Sequence, residues 1–92
     1  MSMYAIEFTR KYLKDLKLAR KRNLDESKLN EVISILSKGE ALPVKNKDHS
    51  LSGDYSGFRE CHITPDWLLI YSIDHGLKIL ELVRTGSHSD LF

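Results

Sequence analysis

Apolar residues recur along this chain first at helical spacing and later in short alternating runs, and the change marks its organisation. Tyr4-Ala5-Ile6-Glu7-Phe8 is partly alternating and rich in strand formers, which predicts an opening strand. Thr9 follows as a helix N-cap, with Phe8 and Leu13 placed for a hydrophobic staple. Leu13, Leu16 and Ala19 share one helical face, so a first helix is expected to run to Arg22-Asn23. Asp25 or Ser27 can cap a second helix. Its Leu29, Val32, Ile33 and Leu36 keep the i, i+3, i+4, i+7 pattern until Gly39 stops it.

Residues 40–57 lose all periodicity and carry Pro43, Lys45, Asn46, Lys47, Asp48, Gly53 and Gly57, the marks of a long polar loop. Such loops are often functional in compact domains, with plain linkage as the ordinary alternative. Three strands then follow, Phe58 to Ile63, Trp67 to Asp74 and Leu77 to Arg84, separated by Thr64-Pro65-Asp66 and Asp74-His75-Gly76. The tail from Thr85 to Phe92 is too short for a helix to be predicted. The expected architecture is α+β, in the order β-α-α-β-β-β, with two helices on a small antiparallel sheet. The first strand should cover an edge that the sequence leaves unspecified.

Hairpin arithmetic brings distant residues together. A tight turn centred on His75 and Gly76 makes facing residues sum to about 151, which sets Trp67 opposite Arg84. The preceding hairpin sums to about 130 and sets His62 opposite Leu68. His62, Asp66, Trp67 and Arg84 then meet at one end of the sheet, and His88 can fold back to it. A slip of one residue would swap faces, so the shared end is firmer than the shared face. His75 belongs to the opposite end. His49, in the long loop, is not placed by local rules.

Ninety-two residues suit one domain with a modest core, and the 41% hydrophobic and 29% charged content is ordinary for a folded one. The longest apolar run, Trp67 to Tyr71, cannot span a bilayer, and Met1-Ser2-Met3-Tyr4 does not open a secretory signal. Cys61 is the sole cysteine, which excludes an internal disulfide and a cysteine-rich zinc site and points to the cytoplasm. The net charge of +1 hides an asymmetry. Residues 1–47 hold eleven Lys/Arg against six Asp/Glu, and residues 48–92 hold three against seven. Most of the excess is Arg10, Lys11, Lys14, Lys17, Arg20, Lys21 and Arg22, set against a lone Asp15. A stripe of this kind attracts polyanions, although solvated helix faces also look like this.

Singly, the gathered residues are unspecific: an exposed histidine is usually incidental, Trp67 usually a core anchor, and Arg84 could simply pair with Asp66. Together they suit RNA cleavage. RNA supplies its own 2′-hydroxyl nucleophile, so the protein needs a base, an acid for the departing 5′-oxygen, and positive charge for the phosphate. Histidine titrates near neutrality and serves as either base or acid. Arg84 offers a permanently charged fork for phosphate oxygens. Asp66 can orient a histidine, and Trp67 or Phe92 can stack on a base. A metal site built from His49, His62, His88 and Asp66 is the chemical alternative. No compact ligand motif accompanies it, and Arg84 would repel a cation.

Four runs carry a family resemblance: Asp48-His49-Ser50-Leu51-Ser52-Gly53, Gly57-Phe58-Arg59-Glu60-Cys61-His62-Ile63, Pro65-Asp66-Trp67-Leu68-Leu69-Ile70-Tyr71, and Arg84-Thr85-Gly86-Ser87-His88-Ser89-Asp90-Leu91-Phe92. They resemble the YafQ-type toxins, the histidine-bearing branch of the RelE/ParE superfamily, over essentially the whole chain. The resemblance implies a type II toxin–antitoxin system. Its toxin enters the ribosomal A site, cleaves messenger RNA without metal or cofactor, and is blocked by a cognate antitoxin protein. It implies catalytic roles for His49, His62, Asp66 and His88, with His88 foremost, a phosphate-stabilising role for Arg84, and substrate positioning by Trp67 and Phe92. Within it, Lys11, Lys14, Lys17 and Arg20 acquire ribosomal RNA as a partner. Tyr55 and Glu60 are minor departures from the family's pattern. Two rival functions remain: a ParE-like gyrase inhibitor that cuts no RNA, and a plain nucleic-acid-binding module. Codon preference, antitoxin identity and oligomeric state lie beyond the sequence.

Overall fold

The computed structural model describes residues 3–92; Met1 and Ser2, part of the stretch read as lacking a secretory signal, lie outside the described residues. The elements are β1 (Ala5–Phe8), α1 (Arg10–Lys21), α2 (Glu26–Ser37), β2 (His49–Ser50), β3 (Arg59–Thr64), β4 (Trp67–Asp74), β5 (Ile79–Gly86) and α3 (His88–Leu91). They form an α+β fold around one five-stranded sheet in the order β1-β5-β4-β3-β2. The sheet is mixed rather than wholly antiparallel, because β1 takes the edge and runs parallel to β5. No hairpin turn links these two strands, so nothing local imposes an antiparallel pairing.

Capping residues start both long helices as their chemistry dictates. The Thr9 side chain accepts from Tyr12 N at 3.0 Å, and Asp25 accepts from Ser27 N at 3.0 Å. Thr9 Oγ1 also donates to Val83 O at 2.7 Å, which ties the start of α1 to β5. The expected staple is replaced. Phe8 stacks on Tyr12 with ring centroids 6.4 Å apart, and Leu13 stays exposed. The buried face of α1 is thus Tyr12 and Ala19 with Leu16 beside them. Gly39 ends α2 with a φ of 73°, and a Cβ there would meet the Tyr4 ring at 3.0 Å.

One core lies between the helices and the sheet, built on Leu29, Val32 and Leu36 from α2 and Cys61, Trp67, Leu69, Tyr71, Leu80 and Leu82 from the strands. A second, smaller cluster covers Leu68 and Ile70 on the other face, using Leu91, Leu51, Tyr55, Phe58 and Val83. Because β4 is buried on both faces, it reads as an unbroken apolar run rather than an alternation.

Register decides what meets what. The β3–β4 pairing sets His62 opposite Leu68, as the turn arithmetic requires. The β4–β5 pairing does not follow the expected sum, since Ile70 faces Arg84 and Leu68 faces Gly86. Two causes combine. The connection holds residues 75–78, longer than a tight turn, closed by Leu77 N donating to Asp74 Oδ1 at 2.9 Å with Lys78 at a φ of 55°. Val83 then forms a bulge, so that Tyr71 faces Leu82 while Ile70 faces Arg84. Trp67 is therefore not opposite Arg84.

The loop between α2 and β3 is fastened rather than free. Tyr71 Oη donates to Asp48 Oδ1 at 2.7 Å, Arg59 Nε donates to the same oxygen at 3.2 Å, and Asn46 Nδ2 donates to His62 O at 2.7 Å. These contacts deliver the two-residue strand β2 to the edge of β3. His75, in the β4–β5 turn, hydrogen-bonds Tyr4 Oη at 2.6 Å and stays at the far end, as expected.

Candidate active site

Alternation along β3 puts Cys61 into the helix-side core and turns Glu60 and His62 to the opposite face. The pairings make this face a grid. His49, Glu60, Ile70 and Arg84 occupy one row across four strands, and His62, Leu68 and Gly86 occupy the next. The turn residue Asp66 and the terminal helix α3 close the end of the grid. Five of the residues singled out by sequence, His49, His62, Asp66, Arg84 and His88, thus share one end and one face.

His62 and His88 are in ring contact, with centroids 5.7 Å apart and planes at 61°. Their exposure differs: 16% of the His62 side chain is accessible against 56% for His88. His88 reaches Asp66 through Nδ1 at 3.1 Å, and its amide donates to the same Oδ1 at 3.4 Å. A carboxylate oxygen accepts, so the Nδ1 proton belongs to His88 and Nε2 is left to accept or deliver a proton. The His88 ring, with its amide, holds the Asp66 carboxyl below the usual carboxylate range.

His49 is fixed in the same manner. Its Nδ1 lies 2.7 Å from Lys47 O, which can only accept, so Nε2 faces Glu60 Oε1 at 3.5 Å. His62 Nε2 lies 3.9 Å from the same oxygen. Glu60 is the residue the sequence reading undervalued. It is 4% exposed, and among the described residues its Oε2 has no hydrogen-bond partner. One buried carboxyl group thus lies between two imidazoles, with Oε1 within 4 Å of both. The signal was available, since Glu60 and His62 are two apart on a strand and must share a face.

Arg84 also departs from expectation. It sits one row in from the end and is paired with Asp15, not Asp66: Nε donates to Oδ2 at 2.7 Å and Nη2 to Oδ1 at 3.1 Å. The Thr85 amide adds a third bond to Asp15 at 3.1 Å. Asp15 thereby raises the guanidinium pKa further, with Tyr55 contributing. The lone acid in the basic helix was the visible clue.

Trp67 has to be reassigned. At 3% exposed it offers no face for a base, because it points into the helix-side core and donates Nε1 to Thr85 Oγ1 at 2.9 Å. Phe92 remains open, 63% exposed, with its ring 5.7 Å from Tyr55. On α1, Lys11, Lys14 and Lys17 are exposed. Lys11 lies one turn before Asp15, on the flank nearest Arg84. Arg20 is on the other flank and is committed to Glu26 through two bonds of 2.6 and 2.9 Å, so it is not an uncommitted contact for RNA. Among the described residues, no cluster of three or more histidine, cysteine or acidic side chains has metal-binding geometry.

Taken together, α1 and α2 on one sheet face and the paired histidines beside α3 on the other define a small α+β protein of the RelE-like fold class. The family model for the bacterial toxin of type II toxin–antitoxin system, YafQ, matches residues 4–92. The chain belongs to the YafQ family of toxins. The mRNA interferase toxin YafQ of Escherichia coli (strain K12) is 43% identical over 88 residues, covering 95% of this chain and 94% of that protein. A chain of the E. coli DinJ–YafQ toxin–antitoxin complex is 42% identical, with a TM-score of 0.89 and 98% of each chain covered. A metal-bound toxin from Helicobacter pylori is 46% identical, with a TM-score of 0.90, covering 98% of this chain and all of that one.

Proposed function

We propose that this protein is an endoribonuclease toxin that cuts messenger RNA on the ribosome by metal-independent acid–base catalysis, acts in the cytoplasm and is neutralised by a cognate antitoxin. The observation that carries the reading is the His62–His88 ring pair, with Asp66 on Nδ1 of His88. One imidazole removes the 2′-hydroxyl proton as that oxygen attacks phosphorus. The other protonates the 5′-oxygen as its bond to phosphorus breaks, leaving a cyclic phosphate. His49, across Glu60 from His62, is a further candidate base for the 2′-hydroxyl. Arg84, kept oriented by Asp15, supplies positive charge along the row, and Phe92 stacks on an unpaired base. Lys11, Lys14 and Lys17 meet RNA phosphates.

Support comes from the relatives' naming as mRNA interferases and from a relative's complex with DinJ. That naming also favours RNA cleavage over gyrase inhibition. The metal-bound Helicobacter toxin makes chelation the decisive arm of the test. Translating ribosomes carrying a defined message are expected to yield cut RNA in the presence of EDTA. His88→Ala should lower cleavage by roughly 10²–10⁴-fold, the usual worth of a general acid or base. The rate should trace a bell in pH, as a reaction needing one base and one acid requires. Loss of cleavage on chelation would overturn the metal-free mechanism, and gyrase inhibition with intact RNA would overturn the assignment altogether.

A further inference from the structure

His88 opens a helix of only four residues, next to the last residue of the chain, and a helix that short does not persist unaided. Its own sequence supplies part of the support. Ser87 Oγ accepts from Asp90 N at 3.2 Å, and Asp90 Oδ2 accepts from Ser87 N at 2.9 Å, a reciprocal capping box. Leu91 packs on Leu68 and Ile70 beneath it. A further contact comes from elsewhere in the chain. Arg22, the C-cap of α1, donates Nη1 to Asp90 Oδ2 at 2.6 Å and Nη2 to Oδ1 at 3.3 Å, across 68 residues of sequence. One carboxylate thus closes the cap of α3 and binds α3 to α1.

We infer that Arg22 and Asp90 form a clamp that positions His88 against His62 and Asp66, so that Asp90 is a positioning residue for the reaction although it touches no reacting atom. The clamp grips α3 two residues past His88, where a small rotation of the helix changes the His88–His62 contact. Gly86 fits the same design, because a Cβ there would come within 3.0 Å of both Asp90 Cβ and Oδ2. Arg22, although exposed, is thereby committed to Asp90, and its role is to position α3. This inference rests on the reading of His88 as a proton-transfer group.

Asp90→Asn keeps an acceptor for Ser87 N but removes the charge that binds Arg22, and Arg22→Ala removes the other half. Each is expected to lower kcat roughly tenfold with KM little changed, below the hundredfold that about 1 Å of misplacement can cost. Combined, they should do no more than either alone, because both break the same contact. The nuclear Overhauser contact between the His62 and His88 ring protons should weaken in both variants, and Arg22→Lys should restore activity only in part, lacking the fork. Additive losses, or a rise in KM alone for Arg22→Ala, would overturn the clamp and make Arg22 an RNA contact. Unchanged kcat with an intact ring contact would overturn it too. If the wild-type protein cuts no RNA, the catalytic reading falls, and the ring contact still decides whether the clamp sets His88.

Discussion

Asp15→Ala is expected to be among the costliest single changes outside the apolar core. Asp15 takes two bonds from Arg84 and one from the Thr85 amide, and the side chains of the pair are only 14% and 20% exposed. Truncation leaves a largely buried guanidinium without its counter-charge and a main-chain donor without its acceptor. Removing one partner of a fully buried pair costs about 3–5 kcal/mol. An orphaned amide costs about 1–3 kcal/mol. Solvent still reaches the pair and softens the first figure, so a total of about 3–4 kcal/mol is expected. Small domains have only about 5–15 kcal/mol to lose. Urea unfolding followed by the fluorescence of Trp67, the sole tryptophan, measures this directly, and Tm should fall by more than about 10 °C. Asp15→Leu with Arg84→Met removes both charges and should recover the electrostatic part, leaving the amide's share. A loss under about 1 kcal/mol for Asp15→Ala, the range of an exposed pair, would refute the reasoning.

Other outcomes follow from the same geometry. Arg22 holds the Asp90 carboxyl well below the usual carboxylate range. A folded-state pKa beneath the unfolded one stabilises above the unfolded value and is lost as pH falls through the folded one. Asp90 should therefore withdraw stability only below about pH 4, and Asp90→Asn should flatten that limb of an acid titration. Burial pushes the Cys61 thiol up to about 12, so a thiol reagent at pH 8 should label it no faster than the protein unfolds. Prompt labelling would show that β3 opens locally. Gly86→Ala should lower kcat by displacing α3 from Asp66 and cost about 1–3 kcal/mol, read from cleavage assays beside a denaturant curve.

Much of this was legible because it is local. β4 was bounded correctly by Pro65-Asp66 before it and Asp74 after it, and the short β3–β4 connection left His62 no partner but Leu68. The α2 pattern set that helix's limits to within a residue or two, and the structure chooses Asp25 over Ser27 as its cap. What escaped depended on tertiary contact. The Val83 bulge has no sequence signature, yet it helps decide that Arg84 faces Ile70. The Asp15–Arg84 pair spans 69 residues, and no spacing rule connects them. β2 is two residues long and exists because Asp48 is held by Tyr71 and Arg59. α3 is different. Ser87-His88-Ser89-Asp90 carries the capping-box pattern, and length alone argued against a helix that its cap and Leu91 sustain.

The two halves of the site are held in different ways, and this difference predicts how variants will behave. His62 stands on a strand bonded on one side to β4 and held on the other by Asn46, and its neighbours Cys61, Leu68 and Leu69 are wholly buried. Moving it means disturbing the core, so substitutions along this row should change stability and activity together. His88 stands on one helical turn held by a cap, one ion pair, one leucine, its own bonds to Asp66 and the Phe92–Tyr55 ring contact. Little of the core depends on that turn, so changes there should remove activity while leaving most of the stability in place. The proposed acid–base catalysis needs both imidazoles in register, so the weaker attachment should set the rate at which the pair is competent. Stabilising α3 on β5 should accordingly raise kcat with little gain in Tm, whereas stabilising the sheet should raise Tm alone.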